Sequence, residues 1–492
     1  MRVEVHVSSG LPALSISGLV EAAVKESRDR VCAALRNSGF DVPDGRIVIS
    51  LAPADVPKSG SRFDLPIALG ILAASGQIPA SALEGREFFG ELGLSGAIQA
   101  VPALLPSAMQ VLAANAVAVV PFAAAGEVAL LDSGDTLLAE HLLEVVQFLH
   151  GTTELRAAKN TSATVTEAPC NLPDFADVRG QAAAKRALLI AAAGGHNVLM
   201  IGPPGTGKSM LAQRFPGLLP SLDNAAALET AALYSLAGKS LPDWRARPFR
   251  APHHSSSSPA LVGGSARPKP GEISLAHNGV LFLDELPEFA RPALEALREP
   301  LETGHITIAR AGMSCEFPAR FQLLAAMNPC PCGYAGDTAR DCRCSPEQVR
   351  RYQSRLSGPL LDRIDMSLTL SQPPVKFSES AESGEPAAAG DGTASLQARV
   401  LVARDVQQHR AGCCNAELGP AATRRDCWPD KQAAALLEQA AVRYGLSLRA
   451  CDRVLRVART ICDLNQEFSD AENTNAPAIT EALMLRGLGD RA

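Results

Sequence analysis

The strongest constraint on the fold of this chain is a glycine-rich segment enclosed by two patterned runs. The segment reads Gly202, Pro203, Pro204, Gly205, Thr206, Gly207, Lys208 and Ser209. The apolar run from His196 to Ile201 before it predicts a buried strand, and the sequence from Met210 onward predicts a helix. A second apolar run, Val280 to Leu283, ends in Asp284 and Glu285. This order of strand, turn and helix predicts an α/β fold of the P-loop class.

The residue types in these runs suit the chemistry of a bound nucleoside triphosphate. Successive backbone N–H groups of a glycine-rich turn, with the positive end of the following helix, attract phosphate, so residues 202–210 are candidate nucleotide contacts. Lys208 adds a point charge, and Ser209 and Asp284 offer oxygen ligands to Mg²⁺. Glu285 can then orient an attacking water. The sequence predicts a triphosphatase that uses ATP and Mg²⁺, against the alternative of a plain turn and an ordinary acidic strand end.

Length and charge limit the remaining possibilities. At 492 residues the chain has room for about three domains. No uninterrupted apolar run reaches the ~20 residues that cross a bilayer, and no basic segment leads into an apolar one at the N-terminus. We therefore expect a cytoplasmic protein with no membrane partner. Residues 1–155 carry 9 basic and 17 acidic side chains, so the net charge of −6 leaves +2 on the rest, where any nucleic-acid contact should lie.

Changes in pattern divide the chain into five segments. Residues 1–155 mix strand-like and helix-like runs and predict an α+β domain, and residues 156–172 have the composition of a linker. Residues 173–375 contain the P-loop core. Residues 376–395 are too poor in apolar side chains to offset their ordering entropy, which predicts a flexible loop. Residues 396–492 predict a helical domain, with helical periodicity at 396–409, 431–444 and 447–464.

Further motifs resemble one known family. They are Ala251 to Ser257, Pro270 to His277, Asn328 to Gly333, Ser357 to Arg363 and, near the N-terminus, Phe63 to Ala68. In these runs the chain resembles the magnesium-chelatase-like AAA+ ATPases of the ComM/YifB family over nearly its whole length. The resemblance implies an AAA+ core with a C-terminal helical lid, assembled into a hexameric ring. It also implies an ATP-driven motor on single-stranded or branched DNA, a helicase that promotes branch migration in recombination or natural transformation.

The same resemblance assigns roles to three more residues. Asn328 resembles the first sensor, which helps position the attacking water. Arg363 resembles the arginine finger that reaches a neighbouring subunit's nucleotide, with Arg355 as the alternative. Arg449 resembles the second sensor on the lid, with Arg453 and Arg456 as alternatives on the same predicted helix. For each arginine taken alone, a surface ion pair is the competing interpretation.

Two insertions in the core are candidate DNA contacts. Residues 304–310 and 314–317 alternate like the two arms of a hairpin with its tip at 311–313, and such a hairpin could project into the pore of a ring. The segment 250–269 is rich in His, Ser, Gly and Pro and has Arg267 and Lys269 available for phosphates. The alternative is that both insertions only seal subunit interfaces.

Four of the 12 cysteines, namely Cys330, Cys332, Cys342 and Cys344, fall within 15 residues directly after Asn328. Four thiolates satisfy tetrahedral zinc, so the cluster predicts a structural Zn²⁺ site. Reduced thiols and a redox pair remain alternatives, because Cys-x-Cys is less diagnostic than Cys-x-x-Cys. The other cysteines follow no ligand pattern and are expected to pack in the interior.

Residues 1–155 resemble the proteolytic domain of Lon, which raises a protease hypothesis. A serine–lysine dyad needs a lysine base, yet no lysine lies between Lys58 and Lys159. Arg62 stands where the family places its nucleophile, and the adjacent Ser61 would lack its partner. The domain is therefore expected to be an inert scaffold. A metal-chelatase motor subunit and a protein-remodelling ATPase remain the rival functions of the whole chain.

Overall fold

The computed structural model describes residues 1–492 apart from 20–21, 59, 161–171, 179, 241–242, 265–267, 311–312, 338–339, 372–391, 466–472 and 488–492. The chain divides into two compact units. The first contains residues 1–167 and 231–244, and the second contains residues 168–230 and 245–492. No helix in the described part of the chain is long and apolar enough to span a membrane.

The strands are β1 (Arg2–Ser8), β2 (Ala13–Ser17), β3 (Arg46–Ala52), β4 (Arg86–Phe88), β5 (Glu91–Leu92), β6 (Ile98–Gln99), β7 (Val117–Pro121), β8 (Thr136–Ala139), β9 (Arg156–Ala157), β10 (Val198–Ile201), β11 (Phe249–Arg250), β12 (Val280–Leu283), β13 (His305–Arg310), β14 (Met313–Pro318), β15 (Gln322–Met327) and β16 (Met366–Thr369).

The helices are α1 (Ala22–Asn37), α2 (Asp64–Ala74), α3 (Leu104–Ala113), α4 (Ala125–Val128), α5 (Leu142–Leu149), α6 (Ala182–Gly194), α7 (Lys208–Arg214), α8 (Asn224–Ala237), α9 (Ser258–Val262), α10 (Glu272–Leu275), α11 (Arg291–Ala296), α12 (Pro300–Thr303), α13 (Pro346–Gln353), α14 (Gly358–Leu361), α15 (Thr393–Ala411), α16 (Pro420–Asp426), α17 (Lys431–Tyr444), α18 (Leu448–Asn465) and α19 (Ala476–Leu485).

The first unit is a mixed α/β structure with three small sheets. Their strand orders are β1-β3-β2, β4-β7-β8-β9 and β5-β6. Strand β3 buries Ile47, Ile49 and Leu51 on one face, as the alternating sequence predicts. Helix α2 is apolar on nearly every side and is buried for most of its length, which suits a central helix.

The second unit is built on a five-stranded sheet with the order β11-β12-β15-β10-β16. Every pair in it is parallel. All residues of β12 and β15 are buried, as expected for central strands covered on both faces. The predicted α/β core is confirmed, and the strand predicted at 196–201 begins two residues later, at Val198.

The C-terminal helices share one hydrophobic core with this sheet and with α6. Helix α17 has the bounds predicted from periodicity, and α18 differs from its prediction by one residue at each end. Helix α15 begins at Thr393, three residues before the helical segment predicted from residue 396. Its first turn is stabilised by Asp174, whose carboxylate accepts hydrogen bonds from the Thr393 backbone N–H (2.7 Å) and hydroxyl (2.8 Å).

The predicted linker at 156–172 starts with ordered backbone. Arg156 and Ala157 form β9 against β8, and Ala158 is 1% exposed. Composition alone missed this pairing because it depends on a strand about 20 residues earlier in the sequence. Residues 161–171, and the part of the predicted flexible loop at 376–391, lie outside the described residues.

Candidate nucleotide-binding site

Three neighbouring strands of the second unit bring the predicted site residues to one edge of the sheet. Strand β10 runs into the glycine-rich loop, β12 ends directly before Asp284, and β15 ends directly before Asn328. Because β12, β15 and β10 are adjacent and parallel, their carboxyl ends meet. The carboxyl edge of a parallel sheet is where open α/β folds bind ligands.

The loop that follows β10 has the backbone of a phosphate-binding turn. Gly205 and Gly207 have φ angles of +83° and +87°, a backbone conformation that glycine adopts readily and other residues rarely adopt. Thr206 closes the turn with a hydrogen bond from its hydroxyl to the Pro203 carbonyl (2.9 Å). Met210 lies in the first turn of α7 and is 45% exposed. The loop therefore leads into the N-terminus of α7, where anions are stabilised.

Lys208 links the loop to β15. Its ammonium donates to the carbonyls of Gly202 (2.6 Å) and Pro203 (2.9 Å) and to Oδ1 of Asn328 (3.2 Å). Burial lowers the pKa of Lys208, and the negative charges of Asp284 and Glu285 oppose that shift. The result is a largely desolvated cation beside two carboxylates, which suits the polyanionic end of a triphosphate.

Ser209 and Asp284, the two predicted Mg²⁺ ligands, lie together. The Ser209 hydroxyl donates to Oδ2 of Asp284 over 2.6 Å, and the Glu285 backbone N–H donates to Oδ1 of the same carboxylate over 2.9 Å. Both ligand atoms are hard oxygens that can occupy neighbouring positions around one octahedral ion, so the residues present fit Mg²⁺.

Glu285 has a partner that the sequence interpretation missed. Its Oε2 lies 2.9 Å from Nδ1 of His254, and its backbone φ is +52°, in the left-handed region. His254 follows β11, which is the neighbour of β12 in the sheet, so the two segments arrive at the same edge. The His-Ser-rich composition of 250–269 suggested only DNA contacts. The sheet order was the missing information.

Tyr352 and Arg355 are a second addition to the site. Tyr352 is buried, and burial, with the charges of Glu288 and Glu285, raises its pKa to about 12 although the Asn328 backbone donates a hydrogen bond to it. Arg355 pairs with Glu288 over 2.8 Å. Arg355, the alternative arginine finger, therefore contacts the segment after Glu285 of its own chain.

Arg363 lies at a different place, on Glu302 at the end of α12, and the charge of Arg449 also acts on Glu302. Arg363 forms an ion pair with Glu302 and donates to the Pro359 carbonyl over 2.8 Å. The hydrogen bond from Arg363 and its charge, and then the charge of Arg449, lower the pKa of Glu302. In the described part of the chain, neither arginine bonds to the P-loop or to the acidic pair at the end of β12.

The two alternatives to Arg449 have other partners. Arg453 lies 3.4 Å from Oδ1 of Asp365, and Arg456 donates to the Thr423 hydroxyl over 2.9 Å. Arg449 is exposed. Of these three arginines, Arg449 is the one that faces solvent at the start of α18.

The four clustered cysteines form a compact group. Their Sγ atoms all lie within 4.8 Å of one another. The distances are 3.3 Å for Cys330–Cys332, 3.7 Å for Cys330–Cys342 and 3.6 Å for Cys332–Cys342. Four sulfurs around one zinc at ~2.3 Å would be about 3.8 Å apart, so the set fits a tetrahedral Zn²⁺. Backbone N–H groups of Tyr334 and Arg343 lower the pKa of Cys332 to about 6, whereas burial and the neighbouring thiols raise the pKa of Cys342 to about 12, so the geometry and not the pKa values supports the site.

The predicted DNA-contact segments are partly described. Strands β13 and β14 pair in antiparallel register from His305↔Pro318 to Arg310↔Met313, which confirms the hairpin. The tip residues 311–312 and Arg267 lie outside the described residues. In the other segment, Arg250 is paired with Glu272 over 2.6 Å.

The first unit offers no serine–lysine pair at the predicted position. The Ser61 hydroxyl donates to Glu91, and the fully buried Lys58 ammonium donates to the Pro53 carbonyl. Arg62, which stands at the position of the nucleophile, donates to the Pro102 carbonyl over 2.6 Å. The Ser61 hydroxyl and the Lys58 ammonium thus have different partners, and the inert scaffold stays a prediction.

The sequence was compared with known families and proteins. It matches the families described as "Magnesium chelatase, subunit ChlI" over residues 174–377, "Subunit ChlI of Mg-chelatase" over 3–124, and "Magnesium chelatase, subunit ChlI C-terminal" over 390–486. It is 48% identical to competence protein ComM of Haemophilus influenzae, over 99% of this chain and 94% of that protein. It is 50% identical to the uncharacterized protein YifB of Escherichia coli, over 95% of this chain and 90% of that protein.

A more distant similarity covers part of the chain. A protein of Arabidopsis thaliana named "Probable DNA helicase MCM9" is 26% identical over 36% of this chain and 23% of its own length. The parallel sheet and the residues at its edge define an AAA+ ATPase core. The chain belongs to the ComM/YifB family of magnesium-chelatase-like proteins, which confirms the resemblance found in the sequence.

Proposed function

We propose that this chain is an ATP-driven motor that assembles into a hexameric ring and acts on single-stranded or branched DNA. Its role would be that of a helicase promoting branch migration in recombination or natural transformation. The observation that carries the ATPase part is the cluster of Lys208, Ser209, Asp284, Glu285 and Asn328 at one sheet edge.

In this proposal each residue at the edge has a separate task. Lys208 and the loop N–H groups bind the β and γ phosphates, and Ser209 and Asp284 hold Mg²⁺. The ion, when bound, neutralises charge on the phosphates. Glu285 orients the attacking water and accepts its proton, while Asn328 keeps both the water and the Lys208 ammonium in position.

The two arginines have separate roles in this proposal. Arg363 is proposed as the finger that completes a neighbour's site, and Arg449 as the second sensor of a C-terminal lid formed by the helices after residue 392. The contact of Arg363 with Glu302 supports this proposal, because α12 leads directly into the β13–β14 hairpin. Movement of the hairpin on DNA would thereby reach the finger.

DNA as the partner is supported by three observations. The hairpin is present, and the net charge after residue 155 is +2, whereas the segment before it carries 9 basic and 17 acidic side chains. One relative is named a competence protein, and a more distant one is named a DNA helicase. We further propose a cytoplasmic location, an inert Lon-like scaffold in residues 1–155, and one structural Zn²⁺ on the four clustered cysteines.

The rival is a motor subunit of a metal chelatase, favoured by the names of the matching families. A protein-remodelling ATPase is the third possibility. ATP turnover measured with and without forked or four-way DNA separates them. Stimulation together with strand displacement supports the DNA motor. If the rate of ATP turnover is the same with every DNA structure as without DNA, and no strand is displaced, the proposed DNA function is wrong.

A further inference from the structure

The clustered cysteines lie against the nucleotide site on two sides. We call residues 330–334 and 342–344 the cysteine clamp. The clamp begins two residues after Asn328, and its first residue, Cys330, is fully buried. Its first turn is closed by hydrogen bonds from the Gly333 N–H to the Cys330 carbonyl (3.0 Å) and from the Ala335 N–H to Cys330 Sγ (3.3 Å).

The first contact with the nucleotide site is made by Gly333. This residue has a φ of +87°, and a Cβ built on it would lie 2.7 Å from Cδ of Pro204 and 3.9 Å from Cγ of Asn328. Since real Cβ atoms do not approach a proline ring so closely, only glycine lets the clamp reach the P-loop here. The backbone of the clamp is therefore packed on the loop that precedes Lys208.

The second contact runs through Asn328. Its Oδ1 accepts a hydrogen bond from the Lys208 ammonium at 3.2 Å, and its backbone is covalently continuous with the clamp through Pro329. The Pro329 carbonyl is held in turn by the side-chain amide of Gln353 over 3.2 Å. Any displacement of Cys330 would therefore act on the residue that positions the P-loop lysine.

We propose that a zinc ion bound by Cys330, Cys332, Cys342 and Cys344 is required for ATP turnover, because it keeps the clamp packed on Pro204 and Asn328. Three of the six sulfur–sulfur separations are 3.3–3.7 Å, close to the edges of a zinc tetrahedron. Without the ion nothing ties the four sulfurs together, and the turn that carries Gly333 is free to move away from Pro204. This inference rests on the proposed ATPase function. It makes ATP turnover depend on a metal bound to cysteine sulfurs.

The first experiment tests the site itself. Elemental analysis of protein purified under reducing conditions should find one zinc per chain, lost in Cys330→Ser and Cys332→Ser and retained in Cys315→Ser, a control outside the cluster. Replacement by cobalt(II) should give the strong absorption of tetrahedral cobalt–thiolate. Protein that stays free of zinc after incubation with the metal, or cobalt bound without thiolate absorption, would overturn the site.

The second experiment separates metal binding from its effect on the nucleotide. Gly333→Ala introduces a methyl group against Pro204, whereas Gly336→Ala meets nothing within 4 Å although its φ of +77° is similar. Both variants should keep their zinc. Turnover should fall by about tenfold to a hundredfold in Gly333→Ala only, since a shift of ~1 Å at a reacting centre has effects of that size.

Equal turnover in the two glycine variants would overturn the coupling and leave the ATPase proposal standing. If a glycine variant does not retain zinc, the parent protein is used for the test instead. A mercurial reagent then releases the metal from the parent protein. Affinity for a fluorescent ATP analogue should then fall in step with zinc release and recover when thiol and zinc are added. Unchanged affinity in fully demetallated, folded protein would also refute the coupling, whether or not the parent protein hydrolyses ATP.

Discussion

Replacing Arg363 by alanine should have a small effect on stability and a large effect on turnover. The guanidinium pairs with Glu302, whose side chain is 55% exposed, and donates to the Pro359 carbonyl. An ion pair with so exposed a partner is worth ~0–1 kcal/mol, and a hydrogen bond from a charged donor about 1.5–3 kcal/mol when it is shielded from water. We expect the free energy of unfolding to fall by about 1–3 kcal/mol.

The effect on turnover is much larger if Arg363 stabilises the transition state in a neighbouring subunit. Arginine fingers contribute ~10³–10⁵-fold, equivalent to about 4–7 kcal/mol. This exceeds the change in stability, so most of the folded variant would still be present but inactive. ATP affinity should stay close to that of the parent chain, because Lys208 and the loop remain intact.

The assay compares Arg363→Ala with Glu302→Gln, which removes the same intrachain ion pair but keeps the arginine. Turnover, affinity for a fluorescent ATP analogue and urea unfolding are measured on both. The alanine variant is then mixed with Lys208→Ala protein, so that intact fingers face intact loops in some interfaces. Partial recovery of turnover is the expected result. Equal loss of turnover in Arg363→Ala and Glu302→Gln, or no recovery in any mixture, would refute the proposed role of Arg363 between subunits.

Three further outcomes are expected. Lys208→Ala should weaken nucleotide binding by removing the phosphate-facing charge, and Glu285→Gln should bind ATP but retain it unhydrolysed; undiminished turnover in the glutamine variant would reject the role of Glu285. His254→Asn should lower turnover by about fivefold, the kinetic equivalent of one hydrogen bond of ~1 kcal/mol. His253→Asn, which changes the adjacent, tilted ring, should leave turnover unchanged, and equal rates in the two variants would show that the 2.9 Å contact is unimportant. Finally, burial lowers the pKa of His196 from 6.5 to about 4. Between these values His196 binds more protons in the unfolded chain than in the folded one. The contribution of His196 to the free energy of unfolding is therefore constant above pH ~6.5 and falls by about 3 kcal/mol toward pH ~4. His196→Gln should flatten this part of the pH–stability curve in denaturation experiments, and a curve parallel to that of the parent protein would contradict the assignment.

Much of the fold could be predicted because its signals are local. The alternation in β3 and the helical periodicity of α17 involve residues a few positions apart, and such periodicities reflect which side chains share a face. The glycines of the P-loop are equally local, since their positive φ angles are set by the turn itself. The ends of helices were harder to predict than the helices themselves, as α15 shows. Its start depends on Asp174, more than 200 residues earlier in the chain.

The candidate site divides in the same way. The predicted nucleotide residues lie together, because the strands that lead to Ser209, Asp284 and Asn328 are neighbours in one parallel sheet and end at one edge. Their role in binding nucleotide stays a prediction. The contact of His254 with Glu285 was not predictable, since it requires β11 to lie beside β12.

The sequence by itself therefore determined the chemistry of this protein: a phosphate-binding loop, an acidic strand end, a polar sensor and four thiols. Only the tertiary structure decided which of these groups touch. It placed Arg363 on Glu302, and it packed Gly333 on Pro204. The physical reason is that these contacts join residues about 60 to 130 positions apart, where no backbone periodicity operates and only the order of strands and the packing of the core bring side chains together.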